Sequence, residues 1–240
     1  PAAPMFKKLS LELGGKNATI VLDDAPLEDV MDGIVRASFT NSGQVCLCGS
    51  RVLVDASIYD RFKAMFVEAV NTIRVGDPTL EATVMGSVIS KDHQSKVESY
   101  IQLGRQEGGV VLTGGTAAEA PVDDVPSEGA FLRPTVIEGL SYTARTATEE
   151  IFGPVVTLHA FNSEQEAIDM ANATQYGLAG SVWTADAERG HAFAQRMDTG
   201  IVWVNTWLNR DLRTPFGGVK QSGVGREGGA WPLNFFSELT

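Results

Sequence analysis

Two residues stand out as a nucleophile and a base. Cys46 lies in the run Phe39-Thr-Asn-Ser-Gly-Gln-Val-Cys-Leu-Cys-Gly-Ser-Arg51, and Glu12 in Leu11-Glu-Leu-Gly-Gly-Lys16. A thiolate attacks carbonyl carbon readily, but a free cysteine is only ~3% thiolate at pH 7. Cys46 therefore needs help from backbone N–H groups in its own turn, a helix N-terminus or a cation brought near by the fold. The leucines beside Glu12 suggest a strand end, and the double glycine permits close approach of a ligand or another backbone. Apolar surroundings would raise the carboxyl pKa, as a general base requires. The alternatives are a Cys46 that packs as a small hydrophobe and a Glu12 that faces solvent from an edge strand.

The other cysteine, Cys48, reads as packing, and a disulfide across one intervening residue would be strained, so a reducing, cytoplasmic compartment is expected. Histidines 93, 159 and 191 are scattered, which leaves no metal-ligand spacing and no metal expected. The 240 residues are 43% hydrophobic and 20% charged, enough to bury a core, and the net charge of −11 disfavours nucleic acid or an anionic membrane as partner. No stretch is apolar over the ~18 residues a membrane helix needs, and the first residues lack a signal peptide's apolar core. A small molecule is the expected partner.

Positioning falls to alternating strands and helices. Residues 18–22 and 51–54 read as buried strands, with further strands at 109–113, 155–160, 179–183 and 201–204. Leu27, Val30, Met31, Ile34 and Val35 give one apolar helical face in a helix starting near Pro26 and ending near Asn41-Ser42-Gly43. Phe62, Met65, Phe66, Ala69, Val70 and Ile73 mark a second, and helices are expected at 91–104, 163–173 and 186–197. This alternation predicts an α/β fold with a doubly wound, mainly parallel sheet and helices on both faces. Residues 114–130 read as a surface loop, and 205–229 as a long loop rich in aromatic and charged groups, the kind that forms functional surfaces.

The order of motifs resembles the aldehyde dehydrogenase superfamily. Leu11-Glu-Leu-Gly-Gly-Lys16 precedes the Gly43-Gln-Val-Cys46 cysteine, followed by Glu149-Glu-Ile-Phe-Gly-Pro-Val155, Tyr176-Gly-Leu-Ala-Gly180 and Pro215-Phe-Gly-Gly-Val-Lys-Gln-Ser-Gly-Val-Gly-Arg-Glu227. The resemblance implies Cys46 as nucleophile, Glu12 as general base, and Glu150 as hydrogen-bond partner of the ribose hydroxyls of NAD, with NADP also open. It places Phe152 near the nicotinamide, the backbone of Leu13 and Gly14 near its carboxamide, and Asn205 in support of the active-site loops. The implied reaction is aldehyde oxidation through a thiohemiacetal and a thioester, with Glu12 favouring hydrolysis over transfer to coenzyme A.

Within the family the run from Arg210 to Gly229 looks most like muconic semialdehyde dehydrogenases of the 2-aminomuconic and 2-hydroxymuconic types. Arg210 and Arg213 would then clamp a substrate carboxylate, Arg210 in preference, although a pair of Asp211 with one arginine is the alternative. Complete members carry a dinucleotide-binding domain ahead of the Glu12 motif. The resemblance therefore implies that residues 1–13 are the tail of that domain, which this chain lacks, 14–221 the catalytic domain, and 222–240 a segment leading to an oligomerisation strand of a dimer or tetramer. A thiol esterase and a structural or binding module are the competing expectations.

Overall fold

The computed structural model describes residues 2–126 and 128–238. In chain order its elements are β1 (Leu11–Glu12), β2 (Ala18–Val21), α1 (Leu27–Phe39), β3 (Arg51–Asp55), α2 (Tyr59–Asn71), α3 (Lys91–Gln106), β4 (Val110–Thr113), β5 (Thr135–Glu138), α4 (Arg145–Thr148) and β6 (Val155–Phe161). They continue with α5 (Glu164–Asn172), β7 (Tyr176–Gly177), β8 (Ala179–Trp183), α6 (Ala187–Ala194), β9 (Ile201–Val204), β10 (Val219–Lys220), β11 (Gly223–Val224) and α7 (Trp231–Phe236). Seven strands form one sheet in the order β4-β5-β6-β3-β2-β8-β9, parallel throughout except for the edge strand β4.

Strands buried on both faces read as continuous apolar runs, and Ala18–Val21 and Ala179–Trp183 are buried at every position. Successive side chains go to opposite faces. Val52 and Val54 pack under α1 and α2 with Ile34, Phe62 and Phe66, whereas Leu53 packs under α5 and α6 with Ile168, Met170 and Phe193. A third cluster joins Val97 and Ile101 of α3 to Ile137 and Ile151. Helices thus cover both faces, as the alternation predicts.

Sequence reading missed β5, which is no shorter than β2, β4 and β9. It also missed the two-residue pairs β1 with β11 and β7 with β10, which join segments remote in sequence. Asp23 and Asp24 precede α1 but do not cap it. They turn instead to Arg189 and to Thr184, Ala185 and Asp186.

The register decides where chemistry is placed. Ala18 stands beside Arg51 and Gly180, and Arg51 beside Thr157, so the residues preceding β2, β3 and β6 converge on one edge of the sheet. Those residues include Gly15, Cys46 and Glu150. Arg51 fixes this edge: fully buried, it donates from Nε to Lys16 O (2.8 Å), from Nη1 to Met170 O (2.7 Å) and from Nη2 to Ala171 O (2.8 Å). Arg51→Met removes a donor from three buried carbonyls, of which Met170 O keeps Ala173 N–H (3.3 Å), and is expected to cost ~2–3 kcal/mol of unfolding free energy, read from urea midpoints; an unchanged midpoint would contradict this tie.

Candidate active site

Glu12 lies in β1 opposite Gly223, and the next residues are fastened to the same late segment. Leu13 N–H donates to Ser222 O (3.0 Å), and the buried Ser222 hydroxyl donates to Gly14 O (2.7 Å). The Glu12 carboxyl pKa is raised, by burial first and then by the Glu227 carboxylate, against the opposing Gly218 backbone and the charges of Arg226 and Arg210. Leu11 and Leu13 are exposed, so the burial does not come from the leucines the sequence pointed to. It comes from the loop at Gly217, where an added Cβ would lie 3.0 Å from Glu12 Oε1. Glu12 Oε2 is buried without a hydrogen-bond partner.

Cys46 is half-buried, on a loop held by Asn17. Asn17 Nδ2 donates to Cys46 O (2.7 Å) and Cys48 O (2.9 Å), while its Oδ1 accepts from Ala179 N–H (3.0 Å). Gly15 presses on the same carbonyl, since a Cβ there would lie 2.6 Å from Cys46 O. The Cys46 thiol pKa is raised, first by burial and then by the Glu12 and Glu150 carboxylates, which together outweigh its own backbone N–H and Arg210. The one cation that reaches the thiol, Arg210, is the smallest of these influences. Cys48 is buried, its thiol pushed up to about 12, with Sγ 3.7 Å from Thr40 O.

Glu150 lies across the double glycine. Its Oε1 accepts from Gly15 N–H (2.9 Å), and a Cβ on Gly14 would lie only 2.4 Å from its Oε2. A side chain at 14 would push the Glu150 carboxylate off this ledge. Two residues on, Phe152 adopts a left-handed φ of 60° and leaves its ring 37% exposed beside the ledge.

The two arginines part company. Arg210 stacks on the buried Phe216 ring, guanidinium carbon 4.0 Å from the centroid, and its charge acts on both Glu12 and Cys46. Arg213, expected as a second clamp, is exposed and engaged by Asp211 through Nε (2.9 and 3.0 Å) and Nη2. Asn205 lies at the carboxyl end of the strands, away from Cys46. It donates N–H to Val182 O and accepts from Thr184 N–H (2.9 Å each), and its φ of 54° turns the chain towards Trp207. Trp207 Nε1 donates to Leu47 O (3.1 Å), so any support from Asn205 reaches the Cys46 loop through this segment.

Sequence reasoning missed Asn17, Glu227 and Lys16. Asn17 acts across the β2–β3 register, which no local pattern signals, whereas the polar residues of the late loop did mark Glu227's neighbourhood. A cavity of about 480 Å³ beside Arg74, Asp77 and Arg133 is lined by none of Cys46, Glu12 and Glu150. Lys16 is wholly buried with no partner for Nζ, and burial, followed by Arg51, lowers its pKa to about 7 against the opposing Glu150 and Glu149. An unfolded lysine titrates near 10.5, so between about 7 and 10.5 only the unfolded chain holds this proton, and stability rises with pH. Lys16→Met is expected to flatten that rise in urea midpoints taken across this window; equal slopes in both proteins would contradict it.

The aldehyde dehydrogenase family model matches residues 1–240. A 2-aminomuconic 6-semialdehyde dehydrogenase of Pseudomonas sp is 50% identical over 239 residues, which is 100% of this chain and 48% of that protein. A 2-aminomuconic semialdehyde dehydrogenase of Mus musculus is 46% identical over 238 residues, 99% of this chain and 49% of that protein. The crystal structure of betaine aldehyde dehydrogenase from Staphylococcus aureus in complex with NAD+ superposes with a TM-score of 0.93 at 41% identity, covering 97% of this chain and 46% of that one. The chain spans about half the length of the curated relatives it matches.

Proposed function

Because this chain belongs to the aldehyde dehydrogenase family, we propose that it carries the catalytic residues of an NAD-dependent enzyme that oxidises a carboxylate-bearing semialdehyde to the acid. The observation that carries this reading is the convergence of Cys46, Glu12 and Glu150 on one edge of the sheet, where both carboxylates act on the same thiol. The muconic semialdehyde relatives support the substrate class, and the NAD+ bound in the Staphylococcus aureus structure supports the cofactor.

The residues present fit the nicotinamide half of that cofactor. Glu150 stands over Gly14 with Oε2 directed at the glycine ledge, as a carboxylate accepting ribose hydroxyls requires, and the exposed Phe152 ring offers an apolar wall. When bound there, the cofactor supplies a hydride acceptor and a positive charge opposing the two carboxylates that hold the thiol neutral. Cys46, once deprotonated, attacks the aldehyde carbon, and its own backbone N–H stabilises the oxyanion of the thiohemiacetal. After oxidation to the thioester, Glu12 takes a proton from water, which attacks the acyl carbon and frees the thiol and a carboxylate product. The raised pKa of Glu12 matches it to that proton transfer.

Arg210 is the group that would recognise the remote carboxylate. Its stacking on Phe216 pre-orients the guanidinium, and its charge already acts on Glu12 and Cys46. In the full-length polypeptide, Cys46→Ala is expected to abolish NADH formation from a muconic semialdehyde. In the same assay Arg210→Gln should lower kcat/KM by roughly 10–100-fold, the worth of a charge-assisted hydrogen bond, while leaving an uncharged aldehyde nearly unaffected. Turnover without Cys46 would overturn the mechanism, and equal losses on both aldehydes would overturn the clamp.

A further inference from the structure

Three consecutive residues before the nucleophile adopt the left-handed conformation: Asn41 (φ 53°, ψ 40°), Ser42 (φ 57°, ψ 34°) and Gly43 (φ 69°). Two of them are not glycine, and a run of this kind is held only where its surroundings over-determine it. The surroundings are visible. The buried Ser42 hydroxyl donates to Gly86 O (3.0 Å), and Ile89 N–H donates to Gln44 Oε1 (2.9 Å). Gln44 also closes the turn on itself, receiving Asn41 Nδ2 at its carbonyl (3.1 Å) and donating from its N–H to Asn41 O (3.0 Å).

The same neighbouring segment reaches the other half of the site. His93, in the first turn of α3, donates Nε2–H to Phe152 O (2.6 Å), which fixes its tautomer, and its ring meets the Phe152 ring edge-on with centroids 6.3 Å apart at 70°. The Phe152–Gly153 strap is also wedged between the two bodies. A Cβ on Gly153 would lie 2.5 Å from Val97 of α3, and one on Gly43 only 2.1 Å from Gly153 O.

We propose that the segment Gly86–His93 is a shared brace that fixes the nucleophile-bearing turn and the Phe152 strap relative to one another, with Gln44 and His93 as its positioning residues. The proposal rests on the function argued above for its effect on turnover. Its effect on the thiol is independent of that function. Neither side chain touches the reacting atoms, and both act by holding backbone. Gln44 sets the turn that delivers Cys46, and His93 sets the carbonyl of the residue expected against the nicotinamide.

The test uses the full-length polypeptide with two readouts, alkylation of Cys46 by iodoacetamide followed by mass spectrometry, and the split of kcat from KM for NAD. Gln44→Met, which keeps the length but removes the acceptor for Ile89, should slow alkylation about 10-fold or more with an unchanged melting midpoint, since a misplacement of ~1 Å is costly at a reacting group. Gln44→Glu retains an acceptor and should restore the rate of the thiolate itself, taken from the high-pH plateau of the alkylation profile, because the added carboxylate on its own raises the thiol pKa. Gln44→Met and His93→Phe should each lower kcat about 10-fold with little change in KM, His93→Gln should recover most of the loss, and the double variant should lose far less than the product of the two because both act through one brace. Wild-type alkylation rates in Gln44→Met, or fully multiplicative losses in the double variant, would overturn the brace. If wild-type protein is alkylated at Cys46 but oxidises no aldehyde, the dehydrogenase reading fails while the alkylation series still decides the brace.

Discussion

One carboxamide, that of Asn17, holds the arrangement together. It is buried and uses both its donor and its acceptor atoms, towards the carbonyls of Cys46 and Cys48 and the N–H of Ala179. The first two belong to the nucleophile loop and the third opens β8, so one side chain ties the entrances of three adjacent parallel strands. A shorter hydroxyl would not span them, and a carboxylate would offer no donor to two buried carbonyls, each costly to leave unpaired. Arg51 repeats the principle one layer deeper, linking the Gly15–Lys16 loop to the end of α5.

Around this frame the electrostatics are those of a site held in waiting. Burial first, and then the Glu12 and Glu150 carboxylates, raise the Cys46 pKa, while Glu227 raises that of Glu12. The counter-charges are Arg210 and Arg226, both of which act on Glu12. The stability and the reactivity of this edge therefore depend on the same few charges.

Much of this was legible in the chain, unevenly. Cys46 and Glu12 announce themselves through glycine-flanked motifs, and the helical spacing of Leu27, Val30, Met31 and Ile34 was sufficient for α1. Six of the seven sheet strands followed from alternation, whereas β5 went unread, and β1 and β11 pair only because the late loop returns to Glu12. The left-handed path of Asn41 and Ser42 was invisible, because it is imposed by Gly86, Ile89 and Gly153 rather than by local propensity. Likewise Arg210 and Arg213 are equivalent as letters and were separated only by their neighbours, an aromatic ring for one and Asp211 for the other. Local chemistry was readable, and what depended on strand register or on contact between distant loops was not.

The central claim is that Cys46 forms the covalent intermediate and Glu12 resolves it. Its most direct test is to mix the full-length Glu12→Gln protein with NAD and a semialdehyde, quench, and map adducts by peptide mass spectrometry. The account predicts an acyl group accumulating on Cys46 alone, together with a burst of NADH that stops after one equivalent. A burst with no adduct on Cys46, or steady turnover without Glu12, would contradict it.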